Sequence, residues 1–150
     1  MTDQTKRRLA FQFFNEVGII QQLASTLFNR RLPDGLHVSH FAVLNHLIRL
    51  GDGRPPLAIA RAFQVSKGTM TNTLSALATR DLIHLRPHAS DGRSKLVYLT
   101  EAGRRFHGRA IDTLSPLFAM LEREMDMDKL LVVLPVLSEV RQILDENRDA

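Results

Sequence analysis

Cysteine and tryptophan are absent from this 150-residue chain, and tyrosine occurs once, as Tyr98. Without a thiol there are no disulfides, iron–sulfur clusters, Cys-based zinc sites or thiol nucleophiles to consider. Long apolar runs are lacking too. The longest, Leu130 to Leu137, contains Pro135 and falls far short of the ~20 residues a membrane span needs. The basic start Lys6-Arg7-Arg8 does not read as a signal peptide, because Gln12, Asn15 and Glu16 interrupt the apolar stretch behind it. No G-x-S-x-G elbow, Gly-rich phosphate loop, repeat or low-complexity tract occurs. Acidic residues of the C-terminal third are spaced like solvated helix faces rather than a converging catalytic pair. The expectation is a soluble, cytoplasmic protein that is not an enzyme, has no catalytic residues and needs no cofactor.

The charge that is present is unevenly placed. Overall the chain is +4, with 20 Lys/Arg against 16 Asp/Glu. Residues 54–105 carry nine Lys/Arg against three Asp/Glu, whereas residues 106–150 carry five against nine. A basic middle beside an acidic tail suits a polyanionic partner, although a merely solvated basic face has the same composition.

Apolar residues at Leu9, Phe13, Val17, Ile20, Leu23 and Leu27 recur at steps of three and four, predicting a long amphipathic helix over 3–32. Pro33-Asp34-Gly35 ends it, and Ser39 is the expected cap of a second helix through Leu50. Gly51-Asp52-Gly53-Arg54-Pro55-Pro56 is the strongest break. A short helix over 57–63 and a helix from an N-cap at Ser66 to Arg80 form a helix-turn-helix outline. Residues 82–86 and 95–99 are rich in strand formers and flank a polar loop, which predicts a β-hairpin. Thr100 caps a helix expected to run to Glu124 with a kink at Pro116, and a last helix spans 129–147. Pro135 predicts a bend in that helix or a later start. The fold class expected is mainly α, six helices with a small β-hairpin wing.

At 100° per residue, Met70, Leu74 and Leu77 share one side of the 66–80 helix, and Gly68, Thr71, Asn72, Ser75 and Thr79 share the other. That outer face is small, polar and uncharged. Short hydroxyl and amide side chains allow close approach to base edges, where Asn suits adenine and Thr meets a thymine methyl. Lys67 stands where the helix N-terminus also favours a phosphate. A helix packed on another protein through small residues would look the same. In the hairpin, Arg86, Arg93 and Lys95 lie on or beside the loop, and Asp91 is placed to orient Arg93. A guanidinium at a loop tip suits a narrow A·T-rich minor groove. His84 and His88 are candidates for phosphate contact. Six histidines invite a metal, but His37, His40 and His46 form no tight cluster with acidic residues, so no metal site is expected.

Three stretches carry a resemblance to the winged helix-turn-helix of the MarR family of bacterial transcription regulators. They are Leu57-Ala58-Ile59-Ala60-Arg61 with Val65-Ser66-Lys67-Gly68-Thr69-Met70-Thr71, the Arg80-Asp81-Leu82 step, and Asp91-Gly92-Arg93-Ser94-Lys95 with Leu99-Thr100-Glu101-Ala102-Gly103. The last is similar to the family's wing signature, D-x-R-x…LT-x-x-G, and is the most specific. The resemblance implies a DNA-binding lobe over 36–105 and dimerisation helices over 1–35 and 106–150. It implies a homodimer whose recognition helices enter successive major grooves of a pseudopalindromic duplex DNA operator. By the family pattern Ser66, Lys67, Gly68, Thr69, Thr71, Asn72, Thr73 and Ser75 face that groove, and Arg93 enters the minor groove. Asn72 and Thr73 stand where common members often carry Arg, a departure that bears on which operator is read. Apolar stripes on the terminal helices support a dimer independently, since a winged-helix core of about 60 residues cannot cover them. Regulators of this family often hold small phenolic or aromatic effectors between the dimer helices and the DNA-binding lobe. Phe13, Phe14, His37, His40 and Phe41 would line that cleft, or else are ordinary core aromatics. The function implied is transcriptional repression relieved by an effector. The alternative is a winged-helix module that binds protein and no longer binds DNA.

Overall fold

The computed structural model describes every residue except Asp91, Arg93 and Ala150. The chain divides into two compact units, Met1–Thr113 and Leu114–Ala150.

The first unit opens with α1 (Asp3–Asn29), capped by Thr2, whose hydroxyl accepts the Thr5 N–H. A 3₁₀ turn (Pro33–Gly35) leads into α2 (Val38–Leu50), then α3 (Pro56–Phe63) and α4 (Lys67–Thr79). Strands β1 (Ile83–Pro87) and β2 (Lys95–Leu99) pair antiparallel, with Ile83 opposite Leu99 and Pro87 opposite Lys95, and α5 (Glu101–Asp112) follows. Leu36, Val43, Leu44, Leu47, Ile59, Leu77, Ile83, Val97 and Phe106 are fully buried and come from α2 to α5, both strands and the residue after the 3₁₀ turn. Among all buried residues, Val43 and Leu47 on α2, Met70, Leu74 and Leu77 on α4, and Phe106 and Ala110 on α5 keep the three-to-four step legible in the sequence.

Tight closures set the helix-turn-helix. After α3, Gln64 takes a left-handed φ of 53°, and the Val65 N–H reaches back to the Ala60 carbonyl. After α4, Asp81 does the same at φ 55°, with Asp81 N–H on Ala78 and Leu82 N–H on Leu77. Both follow the paired-bond closure of a Schellman motif, which satisfies terminal carbonyls without a glycine. The Thr100 hydroxyl donates to the Asp81 carbonyl (2.6 Å) and accepts the Gly103 N–H (2.9 Å). One side chain therefore caps α5 and ties it to the end of α4.

Three expectations are corrected. His37, not Ser39, caps α2: its N–H donates to His40 Nδ1 at 3.0 Å, and Ser39 lies inside the first turn. The helix begun at Glu101 ends at Asp112 rather than kinking through to Glu124. Pro116 has no N–H for the Asp112 carbonyl, and α6 (Ser115–Glu124) starts anew with that proline in its first turn. Seven α-helices result among the described residues instead of six. In the second unit, α7 (Asp128–Glu146) keeps Pro135 in its interior, so the later start is not taken.

Candidate nucleic-acid interface

Helix α4 begins at Ser66, whose Oγ accepts the Thr69 N–H (3.1 Å) and donates to Thr69 Oγ1 (2.9 Å). Met70, Leu74 and Leu77 are buried, fixing the helix's rotation. Gly68, Thr69, Thr71, Asn72, Ser75 and Thr79 are exposed with Lys67 and Ser66, and Thr73 is half-buried. The Thr71, Thr73 and Thr79 hydroxyls donate to the carbonyls of Lys67, Thr69 and Ser75 at 2.8, 3.1 and 2.9 Å. Their protons are spent on the helix itself, leaving methyls and oxygen lone pairs available at its surface. Asn72 and Ser75 have no side-chain hydrogen bond among the described residues. The Asn72 amide thus keeps both donor and acceptor, the pair that reads an adenine edge.

The wing is stiffened by contacts absent from the sequence reading. His84 and Tyr98 face each other across the strands with rings nearly parallel, 5.6 Å between centroids. The Arg86 guanidinium lies 5.0 Å from the same Tyr98 ring, so a cation–π contact directs it along the hairpin. His84 Nε2 is buried without a hydrogen-bond partner among the described residues, and its burial removes that atom from phosphate contact. His88 closes the loop: its N–H donates to the Ser94 carbonyl (2.8 Å), and its Nδ1 accepts the Ser90 N–H (3.1 Å). Lys95 is exposed opposite Pro87. Asp91 and Arg93, the loop-tip candidates, lie outside the described residues.

Residues 51–54, read from sequence only as a break, form part of the wing. Gly53 N–H donates to the Val97 carbonyl and Val97 N–H to the Arg54 carbonyl, both at 2.9 Å, adding a third short strand segment. Gly51 and Gly53 supply the positive φ values, 97° and 75°, that the turn requires. The Arg54 side chain folds back on the Leu50 and Gly51 carbonyls at the end of α2. A signal was present in the doubled glycine around Asp52, since such spacing often marks a bulged or bridged strand.

Of the suggested effector residues, the first unit groups three. The rings of His37 and His40 stack at 5.9 Å. Phe41 meets Phe28 edge-on at 4.7 Å and lies parallel over His107 at 4.9 Å. Burial lowers the pKa of His40, with the charges of His37 and Arg80 adding to it, and burial lowers that of His107. Phe13 and Phe14 pair edge-on with each other instead. At 1.5 Å per residue Phe14 stands ~21 Å along α1 from Phe28, so one chain does not bring all five together. No group of three or more His, Asp or Glu suited to a metal exists among the described residues, and no helix is long and apolar enough to cross a membrane.

Comparison with known proteins agrees with this geometry. Residues 34–94 match the model of the MarR family. No protein of curated function matches the sequence. Among solved structures, the transcriptional regulator BldR from Sulfolobus solfataricus is similar at TM-score 0.71 and 23% identity, covering 93% of this chain and 99% of its own. MarR from E. coli is similar at TM-score 0.71 and 21% identity, covering 84% and 93%, and a cysteine-to-serine mutant of it has been solved with operator DNA. PcaV from Streptomyces coelicolor, in complex with its natural ligand, gives TM-score 0.64 at 22% identity, covering 84% and 89%. Residues 34–94 are thus similar to the MarR family, and the chain around them has the winged-helix fold of these solved regulator structures.

Proposed function

We propose that this chain is a homodimeric, cytoplasmic, sequence-specific DNA-binding repressor of the MarR type rather than an enzyme. The observation that carries the reading is the outer face of α4: exposed, uncharged and small, with the Asn72 amide unpartnered among the described residues, followed in the chain by a wing carrying Arg86 and Lys95. Ser66, Lys67, Gly68, Thr69, Thr71, Asn72, Thr73 and Ser75 meet the major groove, while the wing's Arg86, His88, Asp91, Arg93 and Lys95 serve the backbone and minor groove. The lobe over 36–105 reads DNA, and the helices over 1–35 and 106–150 join two copies. Support for the pairing lies in apolar side chains left in water, including Ile20 (62% exposed) and Leu23 (61%) on α1 and Leu131 (69%) and Val132 (73%) on α7. Apolar faces of this kind mark an interaction surface. The E. coli relative solved on operator DNA supports the DNA partner, and the ligand-bound PcaV supports an effector. A small aromatic or phenolic effector held near His37, His40 and Phe41, with Phe13 and Phe14 supplied elsewhere on the dimer, releases the operator.

Selection of bound sites from random duplex DNA tests the reading. It should return a two-half-site motif with half-site centres about one helical turn apart. Sedimentation of the same preparation should show two chains. The absence of acid or base on the α4 face also suits a module that binds protein. Salt separates the two, because phosphate contacts make log K fall linearly with log salt. A binding constant insensitive to salt, with no enriched motif, would establish the protein-binding module instead.

A further inference from the structure

Beyond its outer face, the C-terminal end of α4 borders a cleft of about 350 Å³, lined by Asp34, Arg80, Leu82, Ala102, Arg105 and Arg109. Three parts of the first unit meet there. Asp34 comes from the 3₁₀ turn, Arg80 is the C-cap of α4, and Ala102, Arg105 and Arg109 are steps of three and four along one face of α5. Leu82 supplies a buried apolar floor.

Arg80 and Arg109 are oriented by contacts, and neither they nor Arg105 has an ion-pair partner within 4.0 Å among the described residues. Arg80 donates to the carbonyls of Ala76 (3.2 Å) and Asp34 (3.3 Å), which uses part of its fork and aims the rest. Arg109 rests over the Phe106 ring, 6.0 Å from its centroid. Arg105 and Arg109 are one turn apart, an i,i+4 pair of like charges that repel on a bare helix. Three cations against the single carboxylate of Asp34 leave the cleft at +2. An anion of charge −2 cancels that excess, and planar guanidinium forks match phosphate oxygens bidentately.

We propose that this cleft binds a small phosphate monoester, with its phosphoryl group held by Arg80, Arg105 and Arg109 and its apolar body against Leu82 and Ala102. A phosphate monoester carries about −1.5 to −2 at neutral pH and offers three acceptor oxygens that neighbouring forks can share. A dicarboxylate has equal charge but spreads it over two ends. Bound ligand ties the C-cap of the recognition helix to α5 and the turn before α2, so it acts on the seat of α4 rather than on its reading face. Burial first, then the charges of His37 and Arg80, lower the His40 pKa, so a phosphate that neutralises Arg80 relieves the last of these and lets the pKa rise. The site goes beyond DNA recognition and is testable without DNA.

The experiment is calorimetric titration of the full chain with phenyl phosphate, inorganic phosphate and succinate, followed by NMR titration of the His40 ring. Phenyl phosphate should bind saturably, one per chain, more tightly than inorganic phosphate or succinate, and the His40 pKa should rise. Arg105→Ala and Arg109→Ala should each weaken binding at least tenfold. Arg105→Lys should recover part of the loss, and Arg141→Ala on α7 should change nothing. Circular dichroism of each variant separates lost binding from lost fold. No saturable binding of phenyl phosphate, equal binding by the folded Arg105→Ala protein, or tighter binding of succinate would overturn the assignment.

Discussion

The carboxylate of Asp52 accepts the backbone N–H of Leu99, 47 residues away, at 2.9 Å. Its second oxygen stands 3.6 Å from Arg104 on α5. One side chain in the α2–α3 connection thereby holds the end of the wing against the helix that follows it. Asp52→Ala should cost about 1.5 kcal/mol, the scale of a hydrogen bond to a charged acceptor. Asp52→Asn keeps an acceptor and gives up only a half-exposed ion pair, so it should cost about 0–1 kcal/mol. Denaturant unfolding of the two variants measures both.

Gly103 closes the stretch that resembles the MarR wing signature, and its reason is steric. A Cβ there would stand 2.1 Å from the Leu82 carbonyl oxygen and 2.9 Å from Leu99 Cδ1. Backbone cannot yield as a flexible side chain does. Gly103→Ala should therefore destabilise by about 1–3 kcal/mol as an overpacked core does. Gly108, on the same helix with nothing within 4 Å of a Cβ, is the control. Gly108→Ala should stabilise by roughly 0.5–1 kcal/mol through helix propensity. Thermal melts that move in the same direction for both would contradict the steric account.

Asn72 is exposed on α4, and its amide has no hydrogen-bond partner among the described residues. Asn72→Ala should relax preference at one base position by about 1–3 kcal/mol and leave stability unchanged. Site selection with the variant reads this directly.

Arg93 belongs to the wing loop by sequence. Arg93→Ala should weaken operator binding by about 1–3 kcal/mol at every site sharing the adjoining minor groove, with dimer formation intact. Mobility shifts paired with sedimentation would show it. An unchanged operator affinity removes the wing tip from recognition.

The pH dependence has a definite sign. His40 and His107 both have folded-state pKa values below the ordinary histidine value of 6.5, through burial first and, for His40, also through His37 and Arg80. The unfolded chain then binds more protons between the folded pKa and 6.5, so stability rises with pH in that window. Stability should be full above pH 6.5 and fall as pH drops through the lowered folded values. A His40→Gln, His107→Gln double variant should flatten that part of the Tm–pH curve. A slope unchanged in the variant would place its source elsewhere.

Much of the architecture was legible along the chain because its causes are local. The rotation of α4 followed from Met70, Leu74 and Leu77, its start from Ser66, and the hairpin from two β-rich runs around a polar loop. Pro116 was visible as a disruption, but whether a proline kinks a helix or ends it depends on what satisfies the freed carbonyls nearby. His37 as the cap of α2 was not legible. Its geometry depends on the His40 ring turning back to meet the His37 N–H, which no spacing rule for Ser or Thr caps anticipates.

By itself the sequence determined the order of elements, the buried face of each helix and the uncharged outer face of α4, because hydrophobic periodicity and capping act within a few residues. Tertiary structure decided what depends on residues far apart meeting in space. It bridged Gly53 and Arg54 to Val97, set Tyr98 between His84 and Arg86, and pressed Gly103 against Leu82. It also brought Arg80, at the end of α4, to the same cleft as Arg105 and Arg109 on α5, a convergence of like charge that no local spacing shows.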